Sequence, residues 1–382
     1  MKVMEGSAAI AEAVRLARPQ VIAAYPITPQ THIVEYLADA VANGELDAEF
    51  MTVESEHSAA SAVLGASATG VRTFTATSSQ GLLYMAEVVF NIAGMRLPVV
   101  MTVANRAISG PLSIWNDHQD SMIVRDAGWM QLYAQNAQEA QDLHLIAYRV
   151  AEDPAVSLPV MVCVDGFALT HAFESVEPLT AEQVAQLLPA FQPLHTLDPA
   201  DPMTMGAYAE PSIYTEARYA VEAALQESRN VYTRALEDLA SVTGRRYDPW
   251  FDSYRVDDAE VVLVVMGTAA QTARVAVDTA RTEGIAAGLL APRAFRPFPA
   301  EEIRRALEHT GRVVVLDRAV SLGAGGVVVH EIRSALARSF YAPQVVGVIA
   351  GLGGRDMSPA TLARALRAEE DAWIDLREDV MS

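Results

Sequence analysis

Cysteine is almost absent from this sequence. Cys163 is the single one in 382 residues, which excludes an internal disulfide, a thiolate zinc site or an iron–sulfur cluster ligated by this chain alone. It lies in the apolar run Leu158-Pro159-Val160-Met161-Val162-Cys163-Val164 and reads as a buried strand residue, not a nucleophile. Aromatic residues are scarce at 7%, so the core must be built from Ala, Val, Leu and Ile. Basic residues are outnumbered 28 to 48, for a formal charge of −20. That balance argues against a nucleic-acid backbone or an anionic membrane surface as partner. No apolar run approaches the ~18 to 20 residues needed to span a bilayer. The stretch Met1–Gly6 has no signal-peptide pattern, so the expected compartment is the cytoplasm. The eight histidines show no metal-ligand spacing, and no metal site is expected on this chain. Nor does a G-x-G-x-x-G follow the first strand, which counts against a dinucleotide-dependent dehydrogenase.

What is present is an alternation of short apolar runs with helical patterns. A helix is expected over 7–17 from a cap at Ser7, then a strand over 20–24 and an extended loop, Tyr25-Pro26-Ile27-Thr28-Pro29-Gln30-Thr31, whose prolines exclude helix interior and central strand. Helix 30–43, strand 49–53, helix 56–69, strand 71–76, helix 82–94, strand 98–104 and strand 159–164 follow. Strands separated by such helices imply an α/β fold with a doubly wound parallel sheet. Residues 1–172 are expected to form this domain. From 173 to 256 a Pro-rich stretch and a charged-faced helix, 214–242, read as a connecting segment. A second α/β pattern opens at Val261 and fills 257–382.

Four strand ends bring polar loops to one sheet edge, where parallel α/β proteins bind ligands. The most informative loop is Glu54-Ser55-Glu56-His57, which opens a helix made almost wholly of Ala, Ser and Gly. Glu56 would sit in its first turn, free to share a proton with a ligand nitrogen or hold a cation, or simply to complement the helix dipole. Arg106 follows a buried strand and is placed to clamp a carboxylate, or else to pair with Asp117 or Asp120. His57 and His118 are read as structural. In the second domain, Ser321-Leu322-Gly323-Ala324-Gly325-Gly326 has the look of a phosphate loop. That signal is weak, since glycines at a strand–helix turn usually serve tight packing. That loop keeps a nucleotide- or coenzyme-A-binding protein open as a distant alternative.

The segments Tyr25–Pro29, Glu54–Ala59, Thr77–Leu82, Asn105–Ala107, Trp115–Asp120, Leu158–Phe167 with His171, and Gly351–Asp356 occur in one order. Together they resemble the α subunit of the pyruvate:ferredoxin oxidoreductases, within the 2-oxoacid:ferredoxin oxidoreductase superfamily. The resemblance implies a pyrimidine-binding domain of the thiamine-diphosphate type followed by a domain like the C-terminal domain of transketolase. It implies a cofactor site split between subunits. This chain lacks the Gly-Asp-Gly motif that grips diphosphate and magnesium, so those groups would belong to a β subunit.

The resemblance further implies that Glu56 is the acid at the pyrimidine, with Tyr25, Pro26, Ser79 and Gln80 beside the cofactor, and that Thr28 and Arg106 hold the substrate carboxylate. The implied reaction decarboxylates a 2-oxoacid, passes the acyl group to coenzyme A, and delivers electrons to [4Fe-4S] clusters. Those clusters would lie in γ and ferredoxin-like δ partners, with ferredoxin or a similar protein as acceptor. Pyruvate is the first-choice substrate. Ile108 and Gly110, in place of the expected Leu and Ala of an Ala-Leu-Ser-Ala-Pro run, leave open an aryl 2-oxoacid such as phenylglyoxylate.

Overall fold

The structure, a computed structural model, describes residues 1–339 and 342–381. The chain opens with β1 (Lys2–Glu5), α1 (Gly6–Ala17), β2 (Val21–Ala24), α2 (Thr31–Ala42), β3 (Glu49–Thr52) and α3 (Glu56–Ala68). It continues with β4 (Thr73–Thr77), α4 (Ser79–Tyr84), α5 (Ala86–Gly94), β5 (Val100–Asn105), α6 (Gln119–Ile123), β6 (Met130–Tyr133), α7 (Ala137–Ala151) and β7 (Val160–Asp165). Strands β4, β5 and β7 are buried along their whole length, as their unbroken apolar and β-branched runs require of a sheet covered on both faces. Strands β2 to β7 are parallel and lie in the order β6-β7-β5-β4-β2-β3. The chain moves outward from β2 to β3 and then returns to the other side with β4. The order therefore reverses between β2 and β4, and such a reversal opens a crevice at the carboxyl ends of the two strands.

Over 173–256 the chain first forms β8 (Phe173–Val176), which pairs antiparallel with β1. Helices α8 (Ala181–Leu187) and α9 (Tyr214–Thr243) then lie against α7, and Val221, Val231, Leu236 and Leu239 join the core under α1, α2 and α7. Strand β9 (Phe251–Tyr254) becomes the antiparallel edge of the second sheet. That sheet comprises β10 (Val261–Val264), β11 (Ala287–Pro292), β13 (Arg312–Asp317), β16 (Gln344–Ile349) and β17 (Ala372–Trp373), in the order β17-β16-β13-β10-β11-β9. Between these strands run α10 (Ala269–Thr282), α11 (Ala300–Leu307), α12 (Val328–Leu336) and α13 (Pro359–Leu366). The chain is thus α/β throughout, with two doubly wound sheets.

The two sheets share a core. Strand β12 (Ala294–Arg296) leaves the second sheet and pairs antiparallel with β6. Met101, Val103 and Cys163 of the first sheet lie in one buried cluster with Val262, Leu290 and Val313 of the second. Arg293 forms a buried ion pair with Glu139 of α7. No described helix is long and apolar enough to cross a membrane.

One local expectation is corrected, and at the glycine-rich stretch the packing alternative holds. Ser7 does not cap α1. The helix starts at Gly6, directly from β1, and the buried Ser7 hydroxyl donates to the Thr170 carbonyl at 2.8 Å. The glycine-rich stretch is not shaped as a phosphate cradle. It forms a small ribbon, β14 (Val320–Ser321) with β15 (Gly325–Gly326), leading into α12. The N–H groups of Val327, Val328 and Val329 at the head of α12 already donate to the Asp317 carboxylate, at 3.0, 2.7 and 3.1 Å. Burial pushes the Asp317 pKa up to about 6 against the pull of those three donors. An internal carboxylate thus fills the anion position that the helix terminus offers. A Cβ at position 326 would lie 2.0 Å from Asp317 Oδ2, so glycine is required there for close packing. Gly326→Ala is expected to cost about 1–3 kcal/mol by overpacking and to lower the melting temperature by several degrees in calorimetry. An unchanged melting temperature would show that the Asp317 contacts do not matter to stability.

Candidate active site

The crevice at the β2/β4 reversal is held open by Gln30, whose buried amide donates to the carbonyls of Tyr25 (2.9 Å) and Ala76 (3.0 Å). Its Oε1 has no hydrogen-bond partner among the described residues. Across the crevice α3 begins. Ser55 is its N-cap and accepts the Ser58 N–H at 3.2 Å. That cap aims the two neighbouring acids differently. Glu54 is exposed and bonded to the Ser58 hydroxyl at 2.8 Å; its own backbone N–H and Ser58 lower its pKa. Glu56 is buried, with 9% exposure, and makes no side-chain hydrogen bond among the described residues. Its carboxylate lies over Gly81 of α4. A Cβ at 81 would stand 2.8 Å from both Glu56 Cγ and Oε1, so the glycine leaves the space the acid occupies.

The loop after β4 is tied to the loop after β5 through Asp120, which the sequence placed in the Trp115–Asp120 segment and offered as an ion-pair partner of Arg106, with no site role of its own. Asp120 is fully buried. Its Oδ2 accepts the N–H groups of Ser79 (2.9 Å) and Arg106 (3.0 Å), and its Oδ1 accepts from Asn105 Nδ2 and Ser121 N–H, both at 2.8 Å. Burial pushes its pKa up to about 7, and the four donors pull against that rise. Ser79 adopts a φ of 51°, uncommon for a residue with a side chain. Its amide bond to Asp120 and its hydroxyl bond to the Ala107 carbonyl hold it there. Gln80 reaches the Ser109 hydroxyl. Helix 82–94 of the sequence reading is therefore two helices, α4 and α5, and α4 starts early because Asp120 fixes Ser79.

Arg106 is not paired with Asp117 or Asp120 through its side chain. Nε donates to the Ser113 carbonyl and Nη1 to the Thr28 carbonyl, each at 2.9 Å. Nη2 has no partner among the described residues. The residue is 7% exposed; burial lowers its pKa and Asp120 raises it, and guanidinium keeps its charge throughout. The structure thus joins Thr28 to Arg106 through the Thr28 carbonyl, while the Thr28 side chain stays on the exposed loop with Tyr25 and Pro26.

The 105–120 loop also seats the second unit against the first. His118 Nε2 contacts Asp165 Oδ1 at 2.7 Å. Asp165 Oδ2 accepts from Arg318 Nη1 (2.7 Å) and from the Thr268 N–H (3.0 Å) and hydroxyl. Burial alone would raise the Asp165 carboxyl, but Arg318 and His118 overcome it and hold it well below the usual range. The Gly353 N–H donates to Asp117 Oδ2 at 3.0 Å, and the Gly354 N–H to the Asn116 carbonyl at 2.7 Å. Cys163 is fully buried, and burial pushes its thiol up.

A crevice with a buried, unpaired carboxylate suits a ligand ring that presents a nitrogen able to carry a proton. Residues 12–236 match the family model for pyruvate flavodoxin/ferredoxin oxidoreductase, thiamine-diphosphate-binding, and residues 259–362 match that for pyruvate:ferredoxin oxidoreductase core domain II. The pyruvate synthase subunit PorA of Methanothermobacter thermautotrophicus is 51% identical over 384 residues, covering 99% of each chain. The ketoisovalerate oxidoreductase subunit VorA of Pyrococcus horikoshii is 44% identical and covers 94% of this chain and 90% of its own. A solved 2-oxoglutarate:ferredoxin oxidoreductase from Magnetococcus marinus superposes with a TM-score of 0.73 at 16% identity. The superposition covers 96% of this chain and 64% of that longer one, a likeness of fold.

Proposed function

The chain belongs to the pyruvate:ferredoxin oxidoreductase family, and we propose that it is the subunit that receives the aminopyrimidine of thiamine diphosphate in a multi-subunit 2-oxoacid:ferredoxin oxidoreductase. The observation that carries this reading is Glu56, buried at the sheet reversal without a partner among the described residues and seated over Gly81. Bound thiamine diphosphate supplies a nucleophilic C2 and an electron sink for decarboxylating the 2-oxoacid. Glu56 holds a proton at N1′ of the pyrimidine, and Gly81 leaves the acid its position. The unspent N–H groups of Arg106 take the substrate carboxylate, and Thr28 adds its hydroxyl. Tyr25, Pro26, Ser79 and Gln80 surround the cofactor on this side. Pyruvate is the substrate, as the 51% identical relative is named for it. Gly110 adopts a φ of 105° and a Cβ there would meet open space, so glycine serves the backbone conformation at this position and not close packing.

The rest of the machinery belongs to partners. A β subunit holds diphosphate and Mg2+, since this chain has no Gly-Asp-Gly. The γ and δ subunits hold the [4Fe-4S] clusters, because one buried cysteine cannot. Coenzyme A and ferredoxin complete the reaction in the cytoplasm. The open face of this chain fits a covering subunit: α3 turns Ser61 and Gly65 to solvent, and Tyr84 and Phe90 are exposed nearby on α4 and α5.

Calorimetric titration tests the split site. The isolated chain with thiamine diphosphate and Mg2+ is expected to bind weakly, and the same titration with the β subunit present to bind tightly. Tight binding by the lone chain would overturn the division. Turnover of the assembled complex on pyruvate, 2-oxoisovalerate and phenylglyoxylate ranks the substrates.

A further inference from the structure

We propose that Glu5, His32 and His171 form a binding site for a divalent cation of the zinc class, independent of the thiamine reading. The three residues are far apart in sequence and come from the end of β1, the first turn of α2 and the turn between β7 and β8. Their candidate ligand atoms all lie within 4.8 Å of one another. Two imidazoles and one carboxylate are the donor set that zinc takes when three protein ligands leave a fourth position for water.

Two of the three ligands, Glu5 and His171, are held by a further contact, as metal ligands usually are. Glu5 is 7% exposed. Its Oε2 accepts the Tyr36 hydroxyl at 2.9 Å, which leaves Oε1 for the cation. Nδ1 of His171 lies 2.7 Å from Thr170 Oγ1; donating there, it leaves the Nε2 lone pair unused. The His32 and His171 rings stack with centroids 4.4 Å apart and a 35° tilt, so a cation that takes both must turn one ring out of that stack. Glu5 Oε1 and His32 Nδ1 are 2.7 Å apart. With bonds of about 2.0–2.2 Å, two ligands of one zinc stand about 3.3 Å apart. Binding therefore opens that contact by roughly half an ångström and requires the His32 Nδ1 lone pair to be free of a proton. His32 directly follows the Tyr25–Thr31 loop, so a bound cation ties that loop to β1 and to the turn after β7.

The test uses the full-length, untagged chain, dialysed against a chelator and titrated with zinc against a chromophoric competitor. One zinc per chain is expected at micromolar concentrations. Cobalt in its place is expected to give the intense visible absorption of a four-coordinate ion, a readout that needs no variant. His32→Ala and His171→Ala should each weaken zinc binding by at least about 100-fold, since losing even an outer contact costs 10- to 100-fold. His309→Ala, at a well-exposed histidine, should leave it unchanged. Zinc should raise the melting temperature of the wild type by several degrees and that of His171→Ala hardly at all. Absence of binding at 100-fold higher zinc, a six-coordinate cobalt spectrum, or unchanged affinity in His171→Ala would each overturn the site and leave an ordinary Glu–His hydrogen bond.

Discussion

In a complex assembled with Glu56→Gln, exchange of the C2 proton of bound thiamine diphosphate is expected to slow by about 10² or more, the usual size of a lost acid–base contact. Turnover should fall with it. The amide has the shape of the acid and fits the same space over Gly81, so folding and assembly should be retained. What it cannot do is hold the proton at N1′. Burial gives this its force: Glu56 is enclosed at the crevice and has no competing donor among the described residues, so its carboxyl group is free to meet a ligand. Glu54→Gln is the matched control. That acid is exposed and bonded to Ser58, and its replacement should leave exchange close to wild type. Proton exchange read by NMR on rapidly quenched samples separates the two variants. Unchanged exchange in Glu56→Gln would move the acid's role elsewhere on the crevice.

The features legible in the sequence were those with a local cause. Alternating apolar runs and helical patterns identified both α/β units, because a strand buried on two faces needs a continuous apolar run. The four polar loops after β2, β3, β4 and β5 could be located for the same reason, since a parallel sheet sends all its carboxyl ends to one edge. The two acids of Glu54-Ser55-Glu56 could not be told apart by pattern. What separates them is the turn geometry set by the Ser55 cap and the missing side chain at Gly81, 25 residues on.

The unread features depend on contacts between distant segments. Strand β1 is four residues long with an exposed Val3, and only its pairing with β8 makes it a strand. β12 is a strand because β6 offers it a free edge. Asp120 stood inside a motif already singled out, yet its bonds to three backbone amides and to Asn105 leave no mark on spacing. The glycine run before α12 resembled an anion loop because both use a helix terminus and small residues. Asp317, from the preceding strand, decides between them. The Glu5, His32 and His171 cluster escaped for the same reason: its members lie far apart in sequence and meet only in the fold.

Arg106→Lys is expected to raise the Michaelis constant for the 2-oxoacid roughly 10- to 150-fold, the equivalent of losing a charge-assisted contact of about 1.5–3 kcal/mol. Guanidinium offers five N–H donors in a planar fork, and two of them are already spent on the carbonyls of Ser113 and Thr28. Those tethers fix the plane of the group and leave Nη2 for a carboxylate. An ammonium on a flexible stem cannot keep both tethers and grip a carboxylate with parallel donors. The loss should therefore appear mainly in substrate capture, with the Michaelis constant for coenzyme A unchanged. Some stability should also go, because the loops after β2 and β5 lose part of their connection. Each hydrogen bond given up is worth about 0.5–1.5 kcal/mol, a shift of a few degrees. Thr28→Val separates the two contributions. It retains the carbonyl that Arg106 holds and removes only the hydroxyl, so it should weaken 2-oxoacid binding modestly at a constant melting temperature. If Arg106→Lys melts several degrees lower while the Michaelis constant for the 2-oxoacid stays at its wild-type value, Arg106 is a strut between two loops. The substrate carboxylate must then be bound by another group at the sheet edge.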